Sequence, residues 1–154
     1  MNAPVILVDA DACPVKEEIY KVAFRAGARV IVVANAYLRM PEHPLVERAR
    51  VGEAFDAADD YIVERADSRA VVVTADILLA DRALKKGAQA LAPNGKPFTA
   101  ASIGAAIATR AIMADLRGSG DPTAGGGARP FSKEDRSRFL QALDAAIVRI
   151  ARGF

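Results

Sequence analysis

Two apolar runs in this chain end in acid. PVILV at 4–8 runs into Asp9, followed by Ala10 and Asp11, and VVVTAD at 71–76 delivers Thr74 and Asp76. Short continuous apolar runs suit strands buried on both faces. In an open parallel sheet, ligands bind beyond the carboxyl ends of the strands, near the point where strand order reverses. Asp9, Asp11 and Asp76 are therefore expected to converge although they lie far apart in sequence. Crowded carboxylates repel and raise one another's pKa unless a cation neutralises them. A bound Mg²⁺ or Mn²⁺ ion in such a cluster can orient a phosphate, polarise it and acidify a water. Each acid alone has a plainer reading, as a turn residue or helix cap.

Further residues extend this constellation. Asp56, Asp59 and Asp60 lie on a segment with helical spacing, where a carboxylate run is usually a solvated face but where one member could serve as another ligand. Asp81 follows Asp76 by five positions, about one and a half helical turns, and could approach the same strand end. Thr74 suits a phosphoryl oxygen or a cap, and Lys16, at a helix start, suits a phosphate contact or a plain surface charge. Cys13 precedes that helix start, a position that acidifies thiols. The surrounding CPVKEEIYK, however, has neither the glycine-rich cradle nor the arginine of a phosphatase loop. With one cysteine and one histidine, His43, the chain lacks an internal disulfide and is poor in nitrogen and sulfur ligands. Its oxygen donors favour Mg²⁺ or Mn²⁺ over zinc.

The elements that must position these residues follow from pattern. At 154 residues, with 52% apolar and 26% charged, the chain reads as a single domain, 1–154, of ordinary globular composition. No membrane-spanning run and no secretory signal are visible, so a cytoplasmic protein is expected. The net charge is +2. Residues 1–99 carry 13 basic and 14 acidic groups, and residues 100–154 carry 8 and 5, an asymmetry that permits a polyanionic partner without requiring one.

Strands are expected at 5–8, 28–34, 46–51, 71–73 and 88–91, with helices at 14–26, 56–66, 77–86, 102–117 and 132–152. Residues 35–44, with two prolines, read as a loop, and the glycine-rich 118–131 as a surface linker. Alternating strands and helices argue for an α/β fold with a mostly parallel sheet of about five strands and helices on both faces. Two further helices end the chain, the last opening on a Ser132-x-x-Asp135 cap pattern.

DADACPVK at 9–16, FDAADDYIV at 55–63, VVTADILLA at 72–80 and GGARPFSKEDRSRF at 126–139 resemble the YaiI/YqxD family of uncharacterised bacterial proteins over nearly the whole chain. That resemblance implies a three-layer PIN-like domain, related to metal-dependent ribonucleases, with RNA as the substrate class. PIN-like acids carried over by motif fall on Asp9, Asp59 and Asp76, the last preceded by Thr74, with Asp11 added by the family's own DADACP and Asp81 as a weaker counterpart. Leu78 stands where the family often has proline, which bears on local turn geometry. The C-terminal appendage offers Arg136 and Arg138, with Arg110 and Arg117 from the preceding helix, to RNA phosphates. Asp135 and Arg136 equally suit a cap or lock on the last helix, and Phe131 and Phe139 read as core anchors.

The expected function is a Mg²⁺- or Mn²⁺-dependent phosphodiesterase with Asp9, Asp11, Asp59 and Asp76 as ligands or water activators. One alternative is a haloacid-dehalogenase-like phosphatase, with Asp9 as nucleophile, Asp11 as acid and base, Thr74 on phosphate and Lys85 or Lys86 as charge clamp. Another is a non-catalytic RNA-binding or interaction module.

Overall fold

The computed structural model describes residues 3–10, 13–35, 39–52, 56–118 and 131–153, with residues 110–118 described by backbone alone. The elements run β1 (Val5–Asp9), α1 (Lys16–Ala26), β2 (Arg29–Ala34), β3 (Val46–Arg50), α2 (Ala57–Arg65), β4 (Ala70–Val73), α3 (Ile77–Lys85), β5 (Gln89–Leu91), α4 (Ala100–Gly118) and α5 (Lys133–Ala151). Each expected strand and helix is present. The glycine-rich linker lies outside the described residues, apart from its end positions.

All five strands are parallel, in the order β3-β2-β1-β4-β5. The chain therefore builds outward from β1 in one direction, then returns to add β4 on the other side. The reversal falls between β1 and β4. Val8 pairs with Val73, so Asp9 and Thr74, one residue further on, leave the sheet side by side at that point.

Alternation along the strands divides the core into two layers. Ile6, Val8, Val30, Val32, Val71 and Val73 face α1 and α5, whereas Leu7, Ile31, Val33 and Val72 face α2, α3 and α4. The fold is thus a three-layer α/β sandwich. Both sides of β1 and β4 are sealed, which explains why their sequences are unbroken apolar runs rather than alternating ones.

Local chemistry sets the helix boundaries. α1 begins two residues after Pro14 and ends at Gly27, whose φ of 70° is the left-handed conformation glycine tolerates. α4 starts before the expected Ser102 because Thr99 and Ser102 cap it reciprocally: Ser102 N–H donates to Thr99 Oγ1 at 3.0 Å, and Thr99 N–H donates to Ser102 Oγ at 2.9 Å. In α5 the expected cap is a full capping box, with Asp135 N–H on Ser132 Oγ at 3.2 Å and Ser132 N–H on Asp135 Oδ2 at 2.9 Å.

The appendage is an integral part of the sandwich. Phe139, Leu143, Ala146 and Ile147 of α5 are buried against the sheet and α1. Phe139 is a core anchor as expected, but Phe131 is not. It is 37% exposed, and the Arg136 guanidinium lies 5.0 Å over its ring, because it precedes the cap, outside the buried stripe of α5.

Candidate active site

Asp9 and Asp76 are joined through one hydroxyl. Thr74 Oγ1 donates to Asp9 Oδ2 at 2.8 Å and accepts from Asp76 N–H at 2.9 Å. Thr74 is only 2% exposed, so its side chain is committed to holding the two acidic segments together. Asp76 also caps α3, its Oδ1 accepting from the amides of Leu78 and Leu79 at 2.9 and 3.4 Å. The capping alternative for this residue is therefore realised together with its position at the strand end.

Asp59, in the first turn of α2, feels the charge of the same acids without lining the cleft beside them. Its carboxyl is pushed up to about 6, first by partial burial, then by the negative charges of Asp76 and Asp9, with Asp56 adding to the effect and Arg82 opposing it. Three carboxylates from separate elements thus share one field. Beside Asp9 and Asp76 the carboxyl end of the sheet opens into a cleft of about 240 Å³ lined by Asp9, Cys13, Val73, Thr74, Ala75, Asp76 and Pro93.

The other candidates are placed differently. Asp11 lies outside the described residues, as does the Arg110 side chain. Asp81 receives Lys85 Nζ at 2.9 Å within α3, and Asp60 receives Arg82 at 2.9 Å. Lys16 Nζ donates to the Cys13 carbonyl at 3.1 Å, at the rim of the cleft. Arg136 donates to the Pro14 carbonyl at 2.7 Å and to Glu18 Oε1 at 3.1 Å, so it locks α5 to the start of α1. Arg138 pairs with the buried Asp135 at 2.6 Å. Lys85 and Lys86 end α3, the end away from Asp76. Cys13 is buried, and burial pushes its thiol up, the opposite of what a thiolate nucleophile requires.

Sequence reasoning missed Arg82, the cation that moderates Asp59, and Pro93, which borders the cleft. Arg82 lies six residues after Asp76, far enough around α3 to face α2, a signal visible only once the two helices are known to be neighbours. The turn after Pro93 packs against α5. In that turn Gly95 has a φ of +87°, and a Cβ there would sit 2.6 Å from the Arg138 carbonyl carbon and 2.7 Å from Phe139 N.

A family model described as "Uncharacterized BCR, YaiI/YqxD family" matches residues 7–149. The chain belongs to the YaiI/YqxD family. Among its relatives, a "UPF0178 protein" of Sphingopyxis alaskensis is 71% identical over 154 residues, covering 99% of each chain. A "UPF0178 protein" of Rhodopseudomonas palustris is 60% identical over 147 residues, 96% of this chain and 88% of that one. Another, from Nitrobacter winogradskyi, is 58% identical over 152 residues, 99% of this chain and 96% of that one. No solved structure matches. The family match spans both strand-end acids, α2 and nearly all of α5.

Among the described residues no helix is long and apolar enough to cross a membrane. Nor do three or more His, Cys, Asp or Glu side chains among them form a group that could hold a metal ion. The donors near the cleft are nevertheless oxygens, and their mutual repulsion at Asp59 is the electrostatic condition a cation relieves. Mg²⁺ keeps several waters and is usually held by one or two carboxylates with substrate phosphate, so a loose acidic cleft suits it better than a closed cage would.

Proposed function

We propose that this YaiI/YqxD protein is a divalent-metal-dependent phosphodiesterase of PIN-like type acting on RNA. The observation that carries the reading is the link from Asp9 through Thr74 to Asp76 at the carboxyl ends of adjacent central strands, where strand order reverses. Asp9, Asp76 and Asp59 would hold Mg²⁺ or Mn²⁺, with Asp11 following Asp9 in the chain. The bound ion supplies Lewis-acid polarisation of a phosphoryl oxygen and a more acidic water.

The chain's own groups supply the rest. Thr74 fixes the Asp9 carboxylate and ties it to the backbone of Asp76, so the two acids keep their separation. Asp59, its carboxyl raised to about 6 by burial and by Asp76 and Asp9, is mostly ionised at neutral pH and adds to the negative field that a cation there would offset. The phosphatase alternative loses support because Lys85 and Lys86 stand about 13 Å of helix away from the Asp76 cap, too far to clamp a phosphate beside Asp9.

Titration with Mn²⁺ tests the reading. The wild type is expected to bind with micromolar affinity, and Asp9→Asn and Asp76→Asn to lose that binding while keeping the fold, since Asn caps a helix as well as Asp does. Undetectable binding by the wild type, or affinity unchanged in both variants, refutes the metal site.

A further inference from the structure

A second concavity lies beside the acidic cleft. It is a groove of about 680 Å³ between α1 and the segment after β2, lined by Lys16, Glu17, Tyr20, Lys21, Phe24, Arg39, Met40 and Pro41. Three cations face one anion along it. Lys16, Tyr20 and Phe24 recur every four residues, so they form one stripe of α1 about 12 Å long. Tyr20 stacks on Phe24 at 6.1 Å between centroids, and Phe24 on His43 at 4.0 Å, which gives the groove an aromatic wall. Phe24 remains 37% exposed.

Two observations connect this groove to a ligand and to the cleft. Tyr20 lines the groove although it is only 8% exposed, and its buried hydroxyl has no hydrogen-bond partner among the described residues, an uncompensated desolvation on the groove's own stripe. Lys16 lines the groove, yet its ammonium donates to the carbonyl of Cys13, a residue that lines the acidic cleft. An ammonium has three protons, so Lys16 can hold that carbonyl and a phosphate together at the junction.

We propose that this groove binds single-stranded nucleic acid and leads it to the acidic cleft, an inference that rests on the phosphodiesterase reading for its direction. Lys16, Lys21 and Arg39 take successive phosphates, and the exposed part of Phe24 takes an unpaired base. Basic groups tracking a backbone beside an aromatic platform are the chemistry of single-strand binding, whereas a duplex hides its base faces. An acidic peptide would satisfy the cations but leave the aromatic wall unused.

The test is metal-free binding of a fluorescent oligouridylate and an oligothymidylate to the full chain, with polyphosphate and polyglutamate as competitors. Lys21 and Arg39 are exposed, so Lys21→Ala/Arg39→Ala should stay folded by circular dichroism. It should bind oligouridylate at least about tenfold more weakly and reduce the slope of log affinity against log salt by about 1.4. Phe24→Ala and Phe24→Leu should each weaken oligouridylate by about tenfold and leave polyphosphate unchanged. Lys86→Ala, at the far end of α3, should change neither.

An unchanged affinity and slope in the double variant overturns the proposal. So does equal loss of oligouridylate and polyphosphate on changing Phe24, or polyglutamate competing as well as polyphosphate, which would favour an acidic protein. Because no metal is present, these results stand apart from the Mn²⁺ titration: groove binding without metal binding would refute the cleft chemistry alone, and the converse would refute the groove alone.

Discussion

Replacing Asp59 by Asn should stabilise the protein at neutral pH in the absence of metal. The Asp59 carboxyl is raised from 3.8 to about 6 by partial burial and by Asp76 and Asp9, so its ionised form is the unfavourable one in the folded state. A raised carboxyl contributes stability that is fully present below the unfolded pKa, near 4, and is lost as pH rises through about 6. For a fully buried group, a rise of that size corresponds to about 3 kcal/mol between the two protonation states. Asp59 is only partly buried, so solvent screening reduces this to about 1 kcal/mol.

Asp59→Asn should therefore match the wild type at pH 4 and exceed it by about 1 kcal/mol at pH 7.5, a rise in Tm of about 2–4 °C for a domain of this size. Thermal unfolding at several pH values, with chelator present, measures it. Saturating Mn²⁺ should reverse the order, since ligand at a hundredfold its Kd adds about 2.7 kcal/mol to whichever protein binds it. A variant less stable than the wild type at pH 7.5 without metal, or a difference that does not change between pH 4 and 7.5, would refute the electrostatic account of the cleft.

Three further outcomes follow from other contacts. Asp76→Ala should lose about 1 kcal/mol that Asp76→Asn retains, because only alanine removes the acceptor for the Leu78 and Leu79 amides; equal denaturation midpoints for the two variants would contradict this. Gly95→Ala should cost about 3 kcal/mol in urea unfolding, combining a positive φ with a Cβ held 2.6 Å from backbone. Arg136→Ala should lower stability by about 1–2 kcal/mol, since Glu18 already has one buried carboxylate oxygen with no partner among the described residues and would lose the partner of the other; oligouridylate affinity, measured on the same variant, should stay within about twofold.

The strands were legible in the sequence because β1, β2 and β4 are sealed on both faces, and such strands have little choice but to be apolar throughout. Asp9 and Asp76 stood out for the same reason, since a charge that closes an apolar run marks the point where the chain leaves the buried sheet. Adjacency was not legible. Only the order β3-β2-β1-β4-β5 makes β1 and β4 neighbours, and only their register places Thr74 beside Asp9. The role of Thr74 as the connecting hydroxyl depends on that register. Asp59 could be chosen from its acidic run only by resemblance, because the helix pattern there distinguishes buried from exposed faces weakly. Arg136 had two readings that differ by which partner is near, and Pro14 and Glu18 lie more than a hundred residues away. The basic groove left a local trace, the four-residue recurrence of Lys16, Tyr20 and Phe24, but its opposite wall, Arg39 to Pro41, comes from another segment.

The C-terminal appendage is best understood through what it holds. α5 covers the sheet face that α1 leaves open, through Phe139, Leu143, Ala146 and Ile147, and it also makes polar and close backbone contacts beyond simple packing. Arg136 grips the Pro14 carbonyl, just after the DADAC segment. The backbone at Arg138 and Phe139 abuts Gly95, in the turn that carries Pro93 to the cleft. The Ala146 carbonyl accepts from the Gln89 side chain at 3.1 Å, fixing the edge strand that precedes that turn. One helix thus braces segments on either side of the same cleft while contributing no described side chain to its lining. Arg136 and Arg138 of α5 are accordingly directed to internal partners, Glu18 and Asp135, and the cations of the proposed nucleic-acid groove come instead from α1 and the segment after β2.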